Sequence, residues 1–138
     1  MKFNKFFWIM LSISFLSVTA VGKDAPVPVI KGDVFSITLE TLRQKNGQIV
    51  LVSIIPEAGV HCNQEYPWKI KIKESKNIQF SKVQYTREEA KVFNDHQAVF
   101  ELPFKAAPGG GEASLEIKFS MCDDKQCFME KIPVKYQL

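Results

Sequence analysis

Two cysteines five positions apart, Cys122 and Cys127, are the side chains in this sequence best suited to covalent chemistry. Asp123, Asp124, Lys125 and Gln126 lie between them, all polar and turn-prone. Upstream, Leu115, Ile117, Phe119 and Met121 alternate with Glu116, Lys118 and Ser120, the period of a strand with one buried and one wet face. Continued by one step, the alternation places Cys122 on the wet face. Downstream, Phe128, Ile132, Val134 and Tyr136 share one parity, and Cys127, Met129, Lys131, Pro133 and Lys135 share the other, so Cys127 is also expected to face water. The simplest arrangement is a hairpin with one cysteine at each shoulder. Residues directly opposite on antiparallel strands have Cα atoms about 4.5 to 5.5 Å apart, within the range that a disulfide tolerates.

A bridge across so short a ring removes about 2 kcal/mol worth of unfolded-state entropy, against about 5 kcal/mol for a long loop. It is a weak staple, but one that another protein's thiolate can reach. Asp123 and Asp124 are expected to raise the thiol pKa values, with Lys125 a partial offset. These residues describe a pair attacked or reduced by a partner rather than a strongly acidic nucleophile. Two other readings stay open. One is a structural hairpin bridge in a secreted binding module without catalysis. The other is a Cu(I) or zinc site built from soft ligands, Met121, Cys122, Cys127 and Met129, with His61 and Cys62 elsewhere in the chain. Met121 has the opposite parity to the rest, so no metal ligand is assigned.

The elements that must position this hairpin read as strands. Phe35, Ile37 and Leu39 alternate with Ser36, Thr38 and Glu40, and Lys45-Asn46-Gly47-Gln48 is a tight-turn signal. Ile49 to Ile55 is a nearly continuous apolar run suited to a central strand. Trp68, Ile70 and Ile72 point inward while Lys69, Lys71 and Lys73 point outward, and one more strand is expected over Ile78 to Tyr85. Thr86-Arg87-Glu88-Glu89 matches a helix capping box that would open one or two turns through Phe93, with a loop as the alternative. Ala98 to Phe104 alternates again, and Ala107-Pro108-Gly109-Gly110-Gly111 breaks the chain before the cysteine hairpin. Seven to eight short antiparallel strands with regular turn signals predict an all-β, immunoglobulin-like β-sandwich, with a small barrel as the alternative.

The start of the chain sets the compartment. Lys2 and Lys5 precede an apolar run from Phe6 to Val18, and Val18-Thr19-Ala20 supplies small residues for cleavage after Ala20, the layout of a secretory signal peptide over residues 1–20. Residues 21–138 then form a single domain, periplasmic or secreted, with no stable membrane insertion after cleavage. Loss of Lys2 and Lys5 takes the formal charge from +3 to +1, a balance that argues against nucleic acid as a partner. Disulfides persist in such a compartment and need dedicated partners to open them. Of the three cysteines, spacing leaves Cys62 as the unpaired one. No Gly-x-Ser-x-Gly occurs, Gly109-Gly110-Gly111 lacks the Lys-Ser/Thr of a P-loop, and paired carboxylates such as Glu88-Glu89 lie in polar segments, so hydrolase and nucleotide-binding chemistry find no support.

Two segments carry a resemblance. Phe119-Ser-Met-Cys122-Asp-Asp-Lys-Gln-Cys127 resembles the cysteine hairpin of the amino-terminal domain of the DsbD thiol-disulfide interchange reductases. Gly59-Val-His61-Cys-Asn63-Gln-Glu-Tyr66-Pro67 is similar to a Gly-x-His-x-Asn-x-x-Tyr-Pro stretch in stand-alone members of that family. The resemblance implies an immunoglobulin-like thiol-disulfide exchange module, a component of an oxidoreductase system with no cofactor beyond its redox-active disulfide. Its partners would be a thioredoxin-like or membrane thiol reductase on one side and oxidised periplasmic proteins on the other. Carried over by position, Cys122 and Cys127 are the redox couple, with Tyr66 and Phe128 as candidates for the aromatic cap that the family places over its pair.

Overall fold

The computed structural model describes residues 27–138, so the expected signal peptide over residues 1–20, and residues 21–26, lie outside the described residues. Alternation over Phe35, Ile37 and Leu39 builds β2 (Phe35–Gln44), which turns through Lys45 and Asn46 into β3 (Gly47–Pro56). The apolar run of β3 suits its place, because β2 pairs with one edge and β9 (Gln97–Ala106) with the other. β1 (Val29–Lys31) extends the sheet beyond β2, while β6 (Ile78–Phe80) and β8 (Val92–Asn94) both pair with the far edge of β9. The second sheet runs β11 (Cys127–Gln137), β10 (Glu112–Cys122), β5 (Lys69–Lys76) and β7 (Gln84–Thr86). Two-residue β4 (His61–Cys62) pairs with the end of β10.

Every pairing is antiparallel. Eleven strands are described, more than the seven to eight expected; eight of them, in the order β2-β3-β9-β8 against β11-β10-β5-β7, form the two layers of an immunoglobulin-like β-sandwich, and β1, β4 and β6 add short pairings to these layers. The two sheets share no ladder, which sets the fold apart from a small closed barrel.

Side chains of one parity from each sheet meet in the middle. Ile37, Leu39, Val52, Ile54, Phe100 and Leu102 face Trp68, Ile70, Leu115, Ile117 and Phe119, all buried. Phe119 links the layers: its ring meets Phe35 edge-on at 4.9 Å and Trp68 at 5.4 Å, and Trp68 meets Phe93 edge-on at 5.0 Å. Such aromatic pairs add about 0.5 to 1.5 kcal/mol beyond the area they bury. At the opposite end of the sandwich, the hydroxyls of Thr41 on β2 and Tyr136 on β11 hydrogen-bond across the two sheets.

Two local expectations are corrected. The single strand over Ile78 to Tyr85 is two strands in different sheets, β6 pairing with β9 and β7 with β5, because the chain bends at Ser81 and Val83 and crosses between layers there. The capping box at Thr86 forms, with the Thr86 N–H donating to the Glu89 carboxylate at 3.0 Å, and opens one turn as expected, but that turn is 3₁₀, covers only Arg87–Glu89 and stops short of Phe93, which lies in β8. Ala90 is already extended (φ −64°, ψ 136°), and the pull of β8 onto β9 outweighs local helix propensity. The tight turn signalled by Lys45-Asn46-Gly47-Gln48 forms as expected, with Lys45 and Asn46 as its loop and Gly47 paired back to Gln44.

Phe119→Ala removes the ring shared by both layers. The expected loss is about 3 to 5 kcal/mol in equilibrium denaturation, the range for truncating a buried aromatic.

Candidate functional site

β10 and β11 pair in unbroken register from Glu112↔Gln137 to Cys122↔Cys127, so the two cysteines are direct cross-strand partners at the tip of the hairpin. They form a disulfide, with Cα atoms 4.0 Å apart. The turn is fixed by its own hydrogen bonds. Asp123 N–H donates to the Gln126 carbonyl at 2.9 Å, and the Asp123 carboxylate accepts the N–H groups of Lys125 and Gln126, each at 2.8 Å. Those two donors, with His61 nearby as a smaller influence, hold the Asp123 carboxyl below the usual aspartate range. Asp124 and Lys125 occupy the turn itself.

The expectation that both cysteines face water is corrected for one of them. Cys127 is exposed, but Cys122 is only 7 % exposed although its side chain has the outward parity. The cause is a neighbour that alternation within one strand cannot reveal. β4 lies along the other edge of β10, pairing Met121↔Cys62 and Cys122↔His61, so Cys122 is flanked on both sides. His61 therefore stands on the same face as the disulfide, one strand from Cys122. Ser120, two residues back on the same face, is fully buried, and the Asn63 side-chain amide donates to its hydroxyl at 3.3 Å.

The segment from Gly59 to Pro67 is a strap between the layers. Cys62 N–H donates to the Asp95 carbonyl in the β8–β9 turn, Asn63 N–H donates to the Ser120 carbonyl on β10, each at 2.9 Å, and the Trp68 indole N–H donates to the Asn63 carbonyl at 2.8 Å. The Gln64 amide also reaches the Asp95 carboxylate at 2.6 Å. His61 and Asn63 thus owe their positions to pairings with residues about thirty and sixty positions downstream. No short-range signal reports such pairings; only the Gly-x-His-x-Asn stretch itself hinted at a shared role.

The remaining candidates separate. Phe128 pairs with Met121, whose side chain is fully buried, and so stands on the core side of β11, opposite the disulfide. There it lines a groove of about 360 Å³ with Ile30, Val34, Phe35 and Ile132. Tyr66 packs partly buried against the core. Phe128 therefore lays no ring over the sulfurs. Cys62 and Met121 face the core, whereas Cys122, Cys127 and Met129 face outward, so the soft ligands lie on two sides of the sheet. Cys62 is a free thiol, buried among apolar side chains, and desolvation followed by the nearby Asp95 charge pushes its pKa from 9.0 up to about 12.

No family model and no curated protein matches the chain. Among solved structures, the GAE domain of GGA2p from Saccharomyces cerevisiae is similar at a TM-score of 0.44, with 10% identity over 80% of this chain and 97% of that one. Among the described residues, no helix is long and apolar enough to cross a membrane.

Two outcomes check this geometry. Asp123→Ala removes the acceptor of two backbone N–H groups, so hydrogen exchange at Lys125 and Gln126 is expected to accelerate, while Asp124→Ala leaves both rates unchanged. Because burial raises the Cys62 pKa, its contribution to stability is complete below pH 9 and declines as pH climbs from 9.0 toward 12, when only the unfolded chain ionises there. Denaturation midpoints measured over that range should fall less steeply for Cys62→Ala than for the native chain, and the thiol should resist alkylation until the protein unfolds.

Proposed function

We propose that this chain is an exported thiol-disulfide exchange module that relays reducing equivalents through Cys122 and Cys127, between a thioredoxin-like or membrane thiol reductase and oxidised proteins of the periplasm. One observation carries the reading. An exposed sulfur, Cys127, is bonded to a shielded one, Cys122, in a hairpin whose turn is held by hydrogen bonds independent of the bridge. A structural staple would constrain a turn that Asp123 already constrains. A redox pair gains from the same feature, because the two thiols stay adjacent after reduction and can close again without rearrangement.

Exchange follows from the asymmetry. A partner thiolate attacks Cys127 Sγ, the intramolecular S–S bond breaks, and its electron pair leaves on Cys122 Sγ, which takes up a proton. The partner's second thiolate then attacks the mixed disulfide at its own first sulfur and expels Cys127 as thiolate, to be protonated in turn. The partner ends oxidised and this chain is a dithiol, two electrons and two protons richer. Passage of the pair to an oxidised exported protein is the same sequence reversed. The likeness of the hairpin and of the Gly59–Pro67 stretch to the DsbD amino-terminal domain, and the export signal read at residues 1–20, support the same assignment.

A redox titration against glutathione or dithiothreitol tests it: a potential clearly above about −300 mV fits a working couple, and one below that fits a structural bridge. In cells, Cys122→Ser should accumulate mixed disulfides through Cys127, and Cys127→Ser should accumulate far fewer. Equal trapping by both variants, or by neither, would count against the exchange order described above.

A further inference from the structure

The outward face of the β5–β10–β11 sheet is arranged in rows that the strand registers define. Nearest the hairpin tip is the row His61, Cys122 and Cys127; next come Ser120 and Met129; then Lys69, Lys118 and Lys131; then Lys71, Glu116 and Pro133; and beyond them Ser114 with Lys135. Alternation within one strand explains why each lysine points outward. It does not explain why three lysines from three strands stand directly opposite one another, since like charges in that relation destabilise a sheet. Glu116 relieves part of the repulsion through its ion pair with Lys131 at 3.5 Å, and it also stands beside Lys71. Glu74 lies beside Ser114 and Glu112 beside Lys76 at the far end, so across the whole registered face six lysines, Lys69, Lys71, Lys76, Lys118, Lys131 and Lys135, stand against three carboxylates.

A second observation concerns the same face. Met129, between the lysine row and the disulfide, is 74 % exposed. A flexible, polarisable side chain displayed in this way is typical of adaptable protein-binding surfaces.

We infer that this face docks an acidic protein surface, with Met129 as the apolar contact and Lys69, Lys118 and Lys131 pairing with carboxylates on the molecule that brings its thiol to Cys127. The inference rests on the exchange reading and adds the chemistry of the partner. Cys122 lies four positions beyond Lys118 on β10, about 14 Å at strand rise, so the partner's carboxylates lie about that far from its reactive sulfur. Opposite charge at this distance steers the approach and fixes its register, an effect on association rate that salt weakens.

Two synthetic peptides test it, each with one cysteine followed, from four residues on, by three glutamates in one and three lysines in the other. Stopped-flow rates of mixed-disulfide formation with the oxidised protein are expected to favour the acidic peptide by about tenfold at low salt, the lower end of electrostatic steering, and to converge at high salt. The preference should vanish in the triple variant Lys69→Gln, Lys118→Gln, Lys131→Gln, whose near-UV circular dichroism checks that it folds. Equal rates for the two peptides in the native protein, or a preference that survives the triple substitution, would overturn the inference. Serine analogues of both peptides separate it from the exchange reading. Binding of the acidic serine analogue without exchange by its cysteine form keeps the docking face and removes the relay, while no binding by that analogue removes the docking face. Tighter binding to phosphatidylglycerol vesicles than to the acidic peptide would replace the protein partner with a lipid surface and overturn it as well.

Discussion

The strict period of two along β10 is the constraint on which the molecule depends. One face of this strand supplies Leu115, Ile117, Phe119 and Met121 to the core, and the other carries Ser120 and Cys122 to the hairpin tip. Three neighbours, β5, β11 and β4, take their register from it. A slip of one residue would turn Phe119 away from Phe35 and Trp68 and send Cys122 into the core. Packing energy therefore fixes the position of the sulfurs.

Asymmetry between the two cysteines arises from where the strands end. β11 is an edge strand, paired only with β10, and its outward side chains meet water: Cys127, Met129, Lys131 and Lys135 are all exposed. β10 is flanked on its other edge too, by β5 up to Lys118 and by β4 at Met121 and Cys122, with the Asn63 N–H donating to the Ser120 carbonyl in the gap between them. Two residues of extra strand thus convert a symmetric hairpin into one with an open and a closed side. The Asp123 side chain then holds the turn in a shape that brings the two sides together.

Much of this was legible in the sequence, and the reason is local. Alternation over Phe35–Leu39, Trp68–Ile72, Ala98–Phe104 and Leu115–Met121 reports a face that must be buried, whatever it is buried against. The hairpin between Cys122 and Cys127 is equally local, since a short polar turn between two alternating strands leaves few other pairings. What the pattern does not carry is which distant segment lies alongside. The shielding of Cys122 depends on His61 and Cys62, about sixty residues earlier, and the lysine row exists only once three strands have been set in register. The division of Ile78–Tyr85 between two sheets is hidden for the same reason: each half has ordinary strand composition, and only the competition between β9 and β5 for partners separates them.

The hydrogen bond between Thr41 and Tyr136 joins β2 of one layer to the edge strand β11 of the other, at the end of the sandwich remote from the disulfide. Together with the β4 strap it ties the two layers to each other at both extremities, so sliding one sheet over the other would break hydrogen bonds at each end. The backbone beneath the disulfide is thus held from both ends, and the freedom left on that face is that of side chains such as Met129.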